Sequence, residues 1–266
     1  MNLKLHINNI KQKGYTIFKS CIKKKDIKKY LSRVKEHYKK NKIINSNQSK
    51  NQRKDKYVYH LQSKDIIFWE LIKKSPQLDL ISKFLNDEFY RNIPKNKYNF
   101  ILSFYNARSS VAELPLHIDN YIPYIGSKPI AMQMVVSLNG QKKNNGATFI
   151  VPGSHHSGLL ADKKFKKHFT IELDPGDIVI WDSRVWHGAH RNITKKERWS
   201  LVATFRVWWA KQNFDPIKNI NENIYSKLSK QQKLIAGFLS MPPKNEFDRI
   251  VLKQGFNDLK KSISDY

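Results

Sequence analysis

The chain has 266 residues and a formal net charge of +27 at pH 7, and this length allows one sizeable hydrophobic core without requiring a second domain. Its single cysteine, Cys21, excludes an intrachain disulfide and a cysteine-rich metal site, and it favours a reducing, cytoplasmic location. No apolar run reaches the roughly 18 residues that a transmembrane helix needs, so we expect no membrane partner.

The positive charge has two interpretations. A basic face that binds phosphates would make the chain a nucleic-acid-binding protein. However, the basic residues are spread along the sequence, and only nine of the 49 are arginine, the residue best suited to bidentate phosphate and base contacts. We therefore interpret the charge as compositional background and expect no nucleic-acid partner, while nucleic-acid binding stays open as an alternative class.

The first 97 residues have a helical character and are interpreted as an N-terminal flank. The opening residues, MNLKLHINNIKQKGY, lack the continuous apolar core of a signal peptide. A short strand is predicted over Gly14 to Phe18. Amphipathic spacing then predicts two helices, marked by Ile27, Leu31, Val34 and Tyr38 and by Leu78, Ile81 and Leu85.

Between these helices, residues 39–56 are polar and highly charged. Such a composition buries too little apolar surface to fold independently, and it predicts a solvated loop. A lid over a binding site is the alternative interpretation of this segment.

From about residue 98 the apolar runs become short and rich in aromatic and β-branched residues. Turn signals such as Pro152-Gly153-Ser154 and Pro175-Gly176-Asp177 separate them. This pattern predicts a mainly β fold with flanking helices, a double-stranded β-helix or jelly roll, over residues 98–209. Residues 210–266 form a predicted C-terminal helical flank, with helical character from Ile217 to Leu239. Residues 1–266 are expected to form one domain. The predicted strands are YNFILSFY, AMQMVVSL, ATFIV, FTIEL, DIVIW and WSLVATFRVWW.

The segment LPLHIDN carries the first candidate metal ligands, His117 and Asp119. Residues two apart on an extended chain project from the same face, so both side chains can reach one ion. With a second imidazole they would form the facial triad of non-haem iron(II) oxygenases, which leaves open positions for co-substrate and oxygen.

Five later histidines are candidates for the third ligand, and sequence context favours His187. It follows PGDIVIWDSRVWHG, a tight turn and an apolar strand that delivers the histidine beside Gly188, where another backbone can approach closely. We interpret the other four as solvated or loop residues, although a place on the rim of the site is open for the first two. These four are His155, His156, His168 and His190.

Arg198 follows that histidine by eleven residues, and Ser200 lies two positions further on the same predicted strand face. A guanidinium group matches a carboxylate bidentately, and a nearby hydroxyl adds a third hydrogen bond. The pair is therefore a candidate carboxylate-binding site. A surface ion pair at a strand edge is the alternative.

These segments together resemble the phytanoyl-CoA dioxygenase family of iron(II)- and 2-oxoglutarate-dependent oxygenases over most of the chain. The similar motifs are GYTIFKS before a charged helix, LHIDN, NGATFIVPGSH and GDIVIWDSRVWHG with its downstream asparagine and arginine. The resemblance implies that His117, Asp119 and His187 bind iron while Arg198 binds the remote carboxylate of 2-oxoglutarate. Asn192 matches a polar position of unknown role.

The resemblance further implies an enzyme that uses iron(II), 2-oxoglutarate and O2, oxidises a small-molecule substrate and releases succinate and carbon dioxide. Related halogenases replace the acidic ligand by a small residue, whereas Asp119 is present here, which favours hydroxylation. The substrate stays open between a small metabolite, a sugar or lipid intermediate and a carrier-bound acyl chain. A metal-free ligand-binding jelly roll is the alternative from another class.

Strand alternation places Gln133, Val135 and Ser137 on one face. Gln133 is therefore a candidate contact for the co-substrate or the substrate, and a buried structural glutamine is the alternative. Four aromatic residues flank the His-x-Asp strand and are interpreted either as substrate-pocket residues or as plain core: Phe104, Tyr105, Tyr121 and Tyr124.

Overall fold

The computed structural model describes residues 2–40, 55–73, 76–88, 97–120, 122–194, 196–210, 214 and 216–238. In these parts of the chain seven α-helices accompany ten strands. The helices are α1 (Leu3–Lys13), α2 (Lys24–Lys40), α3 (Ile67–Lys73), α4 (Gln77–Leu85), α5 (Pro216–Asn219), α6 (Glu222–Lys227) and α7 (Lys230–Ile235). The strands are β1 (Tyr15–Phe18), β2 (Lys56–Val58), β3 (Ile101–Ser109), β4 (Leu114–His117), β5 (Ala131–Ser137), β6 (Thr148–Ile150), β7 (Phe169–Ile171), β8 (Ile178–Asp182), β9 (His187–Ala189) and β10 (Ser200–Arg206).

Two antiparallel sheets form the architecture. The larger has the order β1-β8-β5-β10-β3-β2, and the smaller has the order β4-β9-β6-β7. From β3 onward the chain passes repeatedly from one sheet to the other, as in a jelly roll. The predicted double-stranded β-helix is therefore confirmed.

The central strands of the larger sheet, β5, β8 and β10, are buried at nearly every residue. Most of their side chains are apolar, although Gln133, Ser200 and Thr204 are buried polar residues. Along β10, Leu201, Ala203 and Phe205 belong to the large core that also contains the helices. Val202, which points the other way, packs with Ile150 of the smaller sheet in a second core between the sheets. Trp181 and Val202 of this second core also line the cavity described in the next section.

The N-terminal flank contributes to the larger sheet as well as covering it. β1 pairs with β8, and β2 pairs with β3. The predicted strand over Gly14 to Phe18 is confirmed from Tyr15 onward, and the predicted helices around Val34 and Ile81 are confirmed as α2 and α4. Because strands of the flank lie at both edges of the sheet, the pairing supports the proposal of a single domain.

α1 was not predicted from the sequence. Leu3, Ile7 and Ile10 recur at helical spacing, and all three pack against the large core. Asn2 caps the helix by accepting a hydrogen bond from the backbone of Leu5, and Gly14 ends it with φ 80°. A Cβ at Gly14 would lie 2.1 Å from Cγ2 of Val185, so this position requires glycine for space as well as for conformation.

The predicted helical character of the segment from Ile217 to Leu239 is confirmed in the described residues. In the described residues it is divided into α5, α6 and α7. Asn221 and Ser229 each accept a hydrogen bond from the backbone three residues later and so start a new helix. Ser229 also forms a capping box with Gln232, and Leu239 lies outside the described residues.

The polar segment 39–56 differs from the prediction at both ends. Lys39 and Lys40 complete α2, and Lys56 begins β2. The expected loop or lid lies mostly at residues 41–54, outside the described residues. In the part of the chain that the structure describes, no helix has both the length and the apolar character needed to cross a membrane.

Candidate active site

Three predicted metal ligands meet at one end of the barrel. His117 is the last residue of β4 and pairs with His187, the first residue of β9. Asp119 lies beyond the end of β4, where its backbone N–H donates to the carbonyl of Ser183 at 2.9 Å. The expected extended chain through the His-x-Asp motif therefore ends at His117, and a backbone contact with the β8–β9 turn fixes the position of the aspartate.

His187 reaches this place by a route that differs from the prediction. β8 ends at Asp182, and a turn carries the chain into the smaller sheet before His187 starts β9. The expected close approach at Gly188 is present, since a Cβ there would lie 2.5 Å from the carbonyl oxygen of Leu114 and 2.5 Å from Cζ of Phe149. β4 and β9 can pair this tightly only because residue 188 has no side chain.

The side chains of His117, Asp119 and His187 converge on one point. Nε2 of His117 lies 3.7 Å from Oδ1 of Asp119, and Nε2 of His187 lies 3.4 Å from Oδ2. The three potential ligand atoms all lie within 4.8 Å of one another. Two imidazoles and one carboxylate at such separations fit the donor set of a non-haem iron(II) site.

Groups outside the triad orient each ligand. Nδ1 of His117 lies 2.9 Å from the carbonyl of Pro115, and Nδ1 of His187 lies 3.0 Å from the carbonyl of Val185. Because a carbonyl only accepts, each Nδ1 carries the proton and each Nε2 keeps a lone pair for a metal ion. The indole of Trp181 donates to Oδ2 of Asp119 at 3.1 Å. Such supporting hydrogen bonds are characteristic of protein metal sites.

Burial keeps His187 in the form that binds a metal. Its side chain is 5% exposed, and this burial lowers its pKa, although the charge of Asp119 acts in the opposite direction. The imidazole is therefore neutral at pH 7.

A cavity of about 370 Å³ opens beside the triad. Gln133 is on its wall, as predicted, and its Oε1 accepts a hydrogen bond from Oγ1 of Thr204 at 2.7 Å. Trp181, Phe104 and Val202 supply apolar surface. The described residues that line it are Phe104, Arg108, His117, Ile118, Asp119, Asn120, Gln133, Trp181, His187, Val202, Thr204 and Arg206.

Arg198 and Ser200 lie together, although neither is among the residues that line this cavity. Arg198 just precedes β10, and its guanidinium donates to Oγ of Ser200 at 3.2 Å and to the carbonyl of Gly146 at 2.6 Å. Its Nε is buried and has no hydrogen-bond partner among the described residues. Burial and, after it, the nearby charge of Arg108 lower the pKa of Arg198 to about 10.

Sequence reasoning missed Arg108 as a cavity residue. Phe104 and Arg108 both belong to β3, four positions apart, and both line the cavity. The same period-2 alternation that placed Gln133 on a face could have grouped them. Arg206, on the same strand face as Ser200, also lines the cavity.

Of the predicted aromatic pocket residues that the structure describes, one lines the cavity and two have structural contacts. Phe104 lines the cavity, whereas Tyr105 is buried in the large core and donates to the carbonyl of Phe68. Tyr124 accepts a hydrogen bond from the backbone of Ile130 and lies under the guanidinium of Arg184. Tyr121 lies outside the described residues.

The other predicted polar residues have structural contacts. His155 is buried and lies 3.2 Å from the carbonyl of Lys11, which joins the loop after β6 to the end of α1. His156 contacts the same carbonyl at 2.9 Å, and His190 lies 2.9 Å from the hydroxyl of Thr170. His168 is exposed, and its ring packs against Phe149.

Asn192 shapes the loop that leads to Arg198. Its Oδ1 accepts from the backbone N–H and the hydroxyl of Thr194, and its Nδ2 donates to the carbonyl of Lys196. This polar residue of the resembling motif therefore acts on backbone conformation.

A sequence profile of the phytanoyl-CoA dioxygenase family matches residues 10–200 of the chain. The sequence identity to individual relatives is low. Dioxygenase af480 of Aspergillus fumigatus is 25% identical over 176 residues, which cover 64% of this chain and 53% of the relative. Dioxygenase himG of Aspergillus japonicus is 25% identical over 193 residues, which cover 65% of this chain and 60% of the relative. The match thus spans little more than half the length of these relatives.

Solved structures share the fold at low sequence identity. The non-heme alpha-ketoglutarate-dependent epimerase SnoN from nogalamycin biosynthesis superposes with a TM-score of 0.60 at 20% identity, covering 78% of this chain and 83% of SnoN. HygX from Streptomyces hygroscopicus, crystallised with nickel and 2-oxoglutarate, gives a TM-score of 0.59 at 13% identity, covering 80% of this chain and 91% of HygX. At these identities the similarity concerns the fold alone.

Proposed function

We propose, since the chain belongs to the phytanoyl-CoA dioxygenase family of iron(II)- and 2-oxoglutarate-dependent oxygenases, that it hydroxylates a small-molecule substrate and releases succinate and carbon dioxide. The observation that carries the proposal is the convergence of two imidazole Nε2 atoms and one carboxylate beside a cavity. Each of the three ligands is already held in its binding orientation by a group outside the triad.

The metal ligands in this proposal are His117, Asp119 and His187. A bound iron(II) ion, together with 2-oxoglutarate and O2, supplies the oxidising power for cleaving an unreactive C–H bond. The chain's own residues contribute position and surroundings. Trp181 restricts the carboxylate of Asp119, the Pro115 and Val185 carbonyls fix the imidazole tautomers, and the apolar side chains of Phe104 and Val202 limit access of water to the cavity.

The remote carboxylate of 2-oxoglutarate is assigned to Arg198, with Ser200 beside it. The buried Nε of Arg198 without a partner among the described residues supports this assignment, because a buried guanidinium donor is normally satisfied by an acceptor. Two of its other donors already bind Ser200 and Gly146. These hydrogen bonds fix the plane of the guanidinium group before an anion binds. Gln133 is assigned to a co-substrate or substrate contact in the cavity beside the triad, where a hydrogen bond from Thr204 fixes its amide.

Hydroxylation is proposed over halogenation because the carboxylate of Asp119 would fill the metal position that a halide needs. The fold itself does not decide the reaction, since SnoN is described as an epimerase and SnoK, with a TM-score of 0.61 at 12% identity over 86% of this chain and 91% of SnoK, as a carbocyclase. The substrate is expected to be a small molecule that enters beside the triad.

The test is a screen of metabolite fractions for succinate release that depends on both iron(II) and 2-oxoglutarate. We expect at least one fraction to stimulate release by the wild type and none to stimulate release by His187→Ala. His190→Ala is the matched control, since it removes an imidazole three residues away that contacts Thr170 and not the triad. Tight binding of a ligand without iron, combined with no stimulated release from any fraction, would replace this proposal by the metal-free binding module.

A further inference from the structure

Arg108 and Arg206 are the two cations among the described cavity-lining residues, and the proposed chemistry leaves both without a role. Arg108 is the one on the side of Ser200 and Arg198. It belongs to β3, where it is paired with Ser200 of β10 on one side and with Tyr57 of β2 on the other. Its side chain is half-buried and lines the same cavity as the three metal ligands. Arg108 therefore faces the cavity from β3. The neighbouring strand, β10, begins just after Arg198.

No hydrogen bond or ion pair joins the guanidinium of Arg108 to any residue that the structure describes. The other partly or fully buried arginines near the site differ in this respect. Arg184 donates to Asp182 and to the carbonyl of Gly126, and Arg198 donates to Ser200 and Gly146. The nitrogens of Arg108 are not among the fully buried side-chain atoms that lack a partner in the described residues, whereas Nε of Arg198 is. The guanidinium of Arg108 therefore faces the cavity with donors that are available to a carboxylate.

The electrostatics around Arg108 point to the same conclusion. After burial, the charge of Arg108 is the next largest cause that lowers the pKa of Arg198, while the charge of Asp55 acts in the opposite direction. The two guanidinium groups repel one another, and Asp119, the only acidic side chain among the described residues that line the cavity, is directed at the two imidazoles. An anion between the two arginines would remove this repulsion.

The register of the strands indicates which anion this is. Arg108 lies opposite Ser200, the hydroxyl that Arg198 contacts, so both arginines lie at one level of the barrel. Thr204, four residues further along β10, pairs with Gln133, whose other neighbour is Trp181 beside Asp119. A molecule that binds the metal by one end and extends along β10 toward Ser200 therefore reaches Arg108 and Arg198 with its other end. Arg206 lies beyond Thr204, in the opposite direction.

We propose that Arg108 binds the distal carboxylate of 2-oxoglutarate together with Arg198, so that two arginines hold one carboxylate. The inference rests on the proposed function and adds a second cation to the co-substrate site. Arg108 would then select co-substrates that carry a second acidic group. A carboxylate or phosphate of the oxidised substrate is the other source of an anion at this place, and the experiment distinguishes the two.

The experiment compares two keto acids by anaerobic titration of the iron(II)-loaded protein, followed by visible absorption. 2-Oxoglutarate carries the distal carboxylate, and 2-oxopentanoate has the same chain length without it. The variants are Arg108→Gln and, as a matched control, Arg191→Gln, which removes one exposed arginine charge away from the cavity lining. Arg108→Lys retains the charge and loses the planar fork, and it serves as the second variant if the glutamine variant folds poorly.

We expect Arg108→Gln to weaken 2-oxoglutarate binding by about ten- to a hundredfold, as for the loss of a charge-assisted hydrogen bond. Binding of 2-oxopentanoate should change by less than about twofold, Arg191→Gln should behave as the wild type, and Arg108→Lys should weaken 2-oxoglutarate binding by at least about threefold.

Unchanged 2-oxoglutarate affinity in both Arg108 variants would overturn the inference and move the anion to the oxidised substrate. Equal weakening of both keto acids would also overturn it, because a contact with the distal carboxylate affects only one of them. If the wild type itself shows no iron-dependent absorption with either keto acid, the proposed function has failed instead.

Discussion

The indole nitrogen of Trp181 donates a hydrogen bond to Oδ2 of Asp119 at 3.1 Å, from the sheet opposite the one that supplies the two histidines. The same ring packs 5.0 Å from the imidazole of His187, centroid to centroid. Trp181 thus contacts two of the three proposed metal ligands and joins the larger sheet to the proposed metal site. Its effect on the site can be tested independently of the ligands themselves.

Replacing Trp181 by phenylalanine should weaken iron binding by about ten- to a hundredfold, because the carboxylate of Asp119 loses the donor that orients it. Equilibrium titration of the protein with iron(II) under anaerobic conditions measures the effect. Trp69→Phe is the control, since it also removes a buried indole donor, to the carbonyl of Gln62, in the helical part of the core. Equal iron affinities in the two variants would show that the Trp181 hydrogen bond does not act on the metal.

Adding a methyl group at residue 188 should separate β4 from β9. Gly188→Ala would bring its Cβ to 2.5 Å from the carbonyl oxygen of Leu114, a backbone atom that can move only with its strand. We expect a loss of about 1–3 kcal/mol in the free energy of unfolding, typical of overpacking, and weaker iron binding because His117 and His187 are paired across these strands. Denaturant unfolding and metal titration measure the two effects.

The control for that variant is Gly126→Ala, whose new Cβ would meet its nearest neighbour, a ring carbon of Tyr124, at 3.5 Å. It should leave both quantities close to the wild type. Unaltered iron affinity in Gly188→Ala, despite lower stability, would mean that the strands separate without moving the ligands.

Arg198→Gln should weaken 2-oxoglutarate binding by about ten- to a hundredfold. The change also removes the guanidinium donor to the carbonyl of Gly146, so a loss of stability of about 1–3 kcal/mol is expected for the unsatisfied carbonyl. If Arg198 and Arg108 hold one carboxylate, the double variant Arg108→Gln/Arg198→Gln should lose less affinity than the product of the single losses. Independent, multiplicative losses would place the two arginines at different anions.

The stability of the segment before Arg198 should depend on pH through Glu197. Burial raises the pKa of this carboxyl, but hydrogen bonds from Lys56, Trp199 and Lys35 outweigh burial and lower the pKa to about 2, from an ordinary value of 4.5. A lowered pKa in the folded state stabilises the protein above the unfolded value. This stabilisation is lost as the pH falls from about 4.5 through about 2.

Urea unfolding of the wild type and Glu197→Gln at several pH values tests this dependence. The difference in unfolding free energy should be largest near neutral pH and should shrink below about pH 4.5. Glu172→Gln, at an exposed pair with Lys142, controls for the loss of one negative charge. A difference for Glu197→Gln that stays constant from neutral pH down to about pH 3 would contradict the assignment.

The sequence was most informative for features that a local pattern of residue types determines. Short runs rich in aromatic and β-branched residues, separated by turn signals, predicted the jelly roll. His117, Asp119 and His187 were selected by spacing and by context, and the structure brings these three residues together. Their role as iron ligands stays a prediction until the metal is measured.

Features that depend on distant pairing could not be predicted in this way. The alternation of β3 places Arg108 on a face, but only the pairing of β3 with β10 shows that this face lies beside the Arg198–Ser200 pair. Likewise, the turn after Asp182 transfers His187 to the other sheet, a change of direction that the apolar run before it does not encode. The breaks before α6 and α7 had a local signal in Asn221 and Ser229, which the helical spacing of apolar residues concealed.

The most direct test of the account is the visible absorption of the anaerobic protein after addition of iron(II) and 2-oxoglutarate. A keto acid chelated to iron(II) at a facial triad gives a weak charge-transfer band, which we expect for the wild type and for the control His190→Ala, and which should be absent in His187→Ala. A band of full intensity in His187→Ala, with wild-type iron affinity, would contradict the proposed metal site.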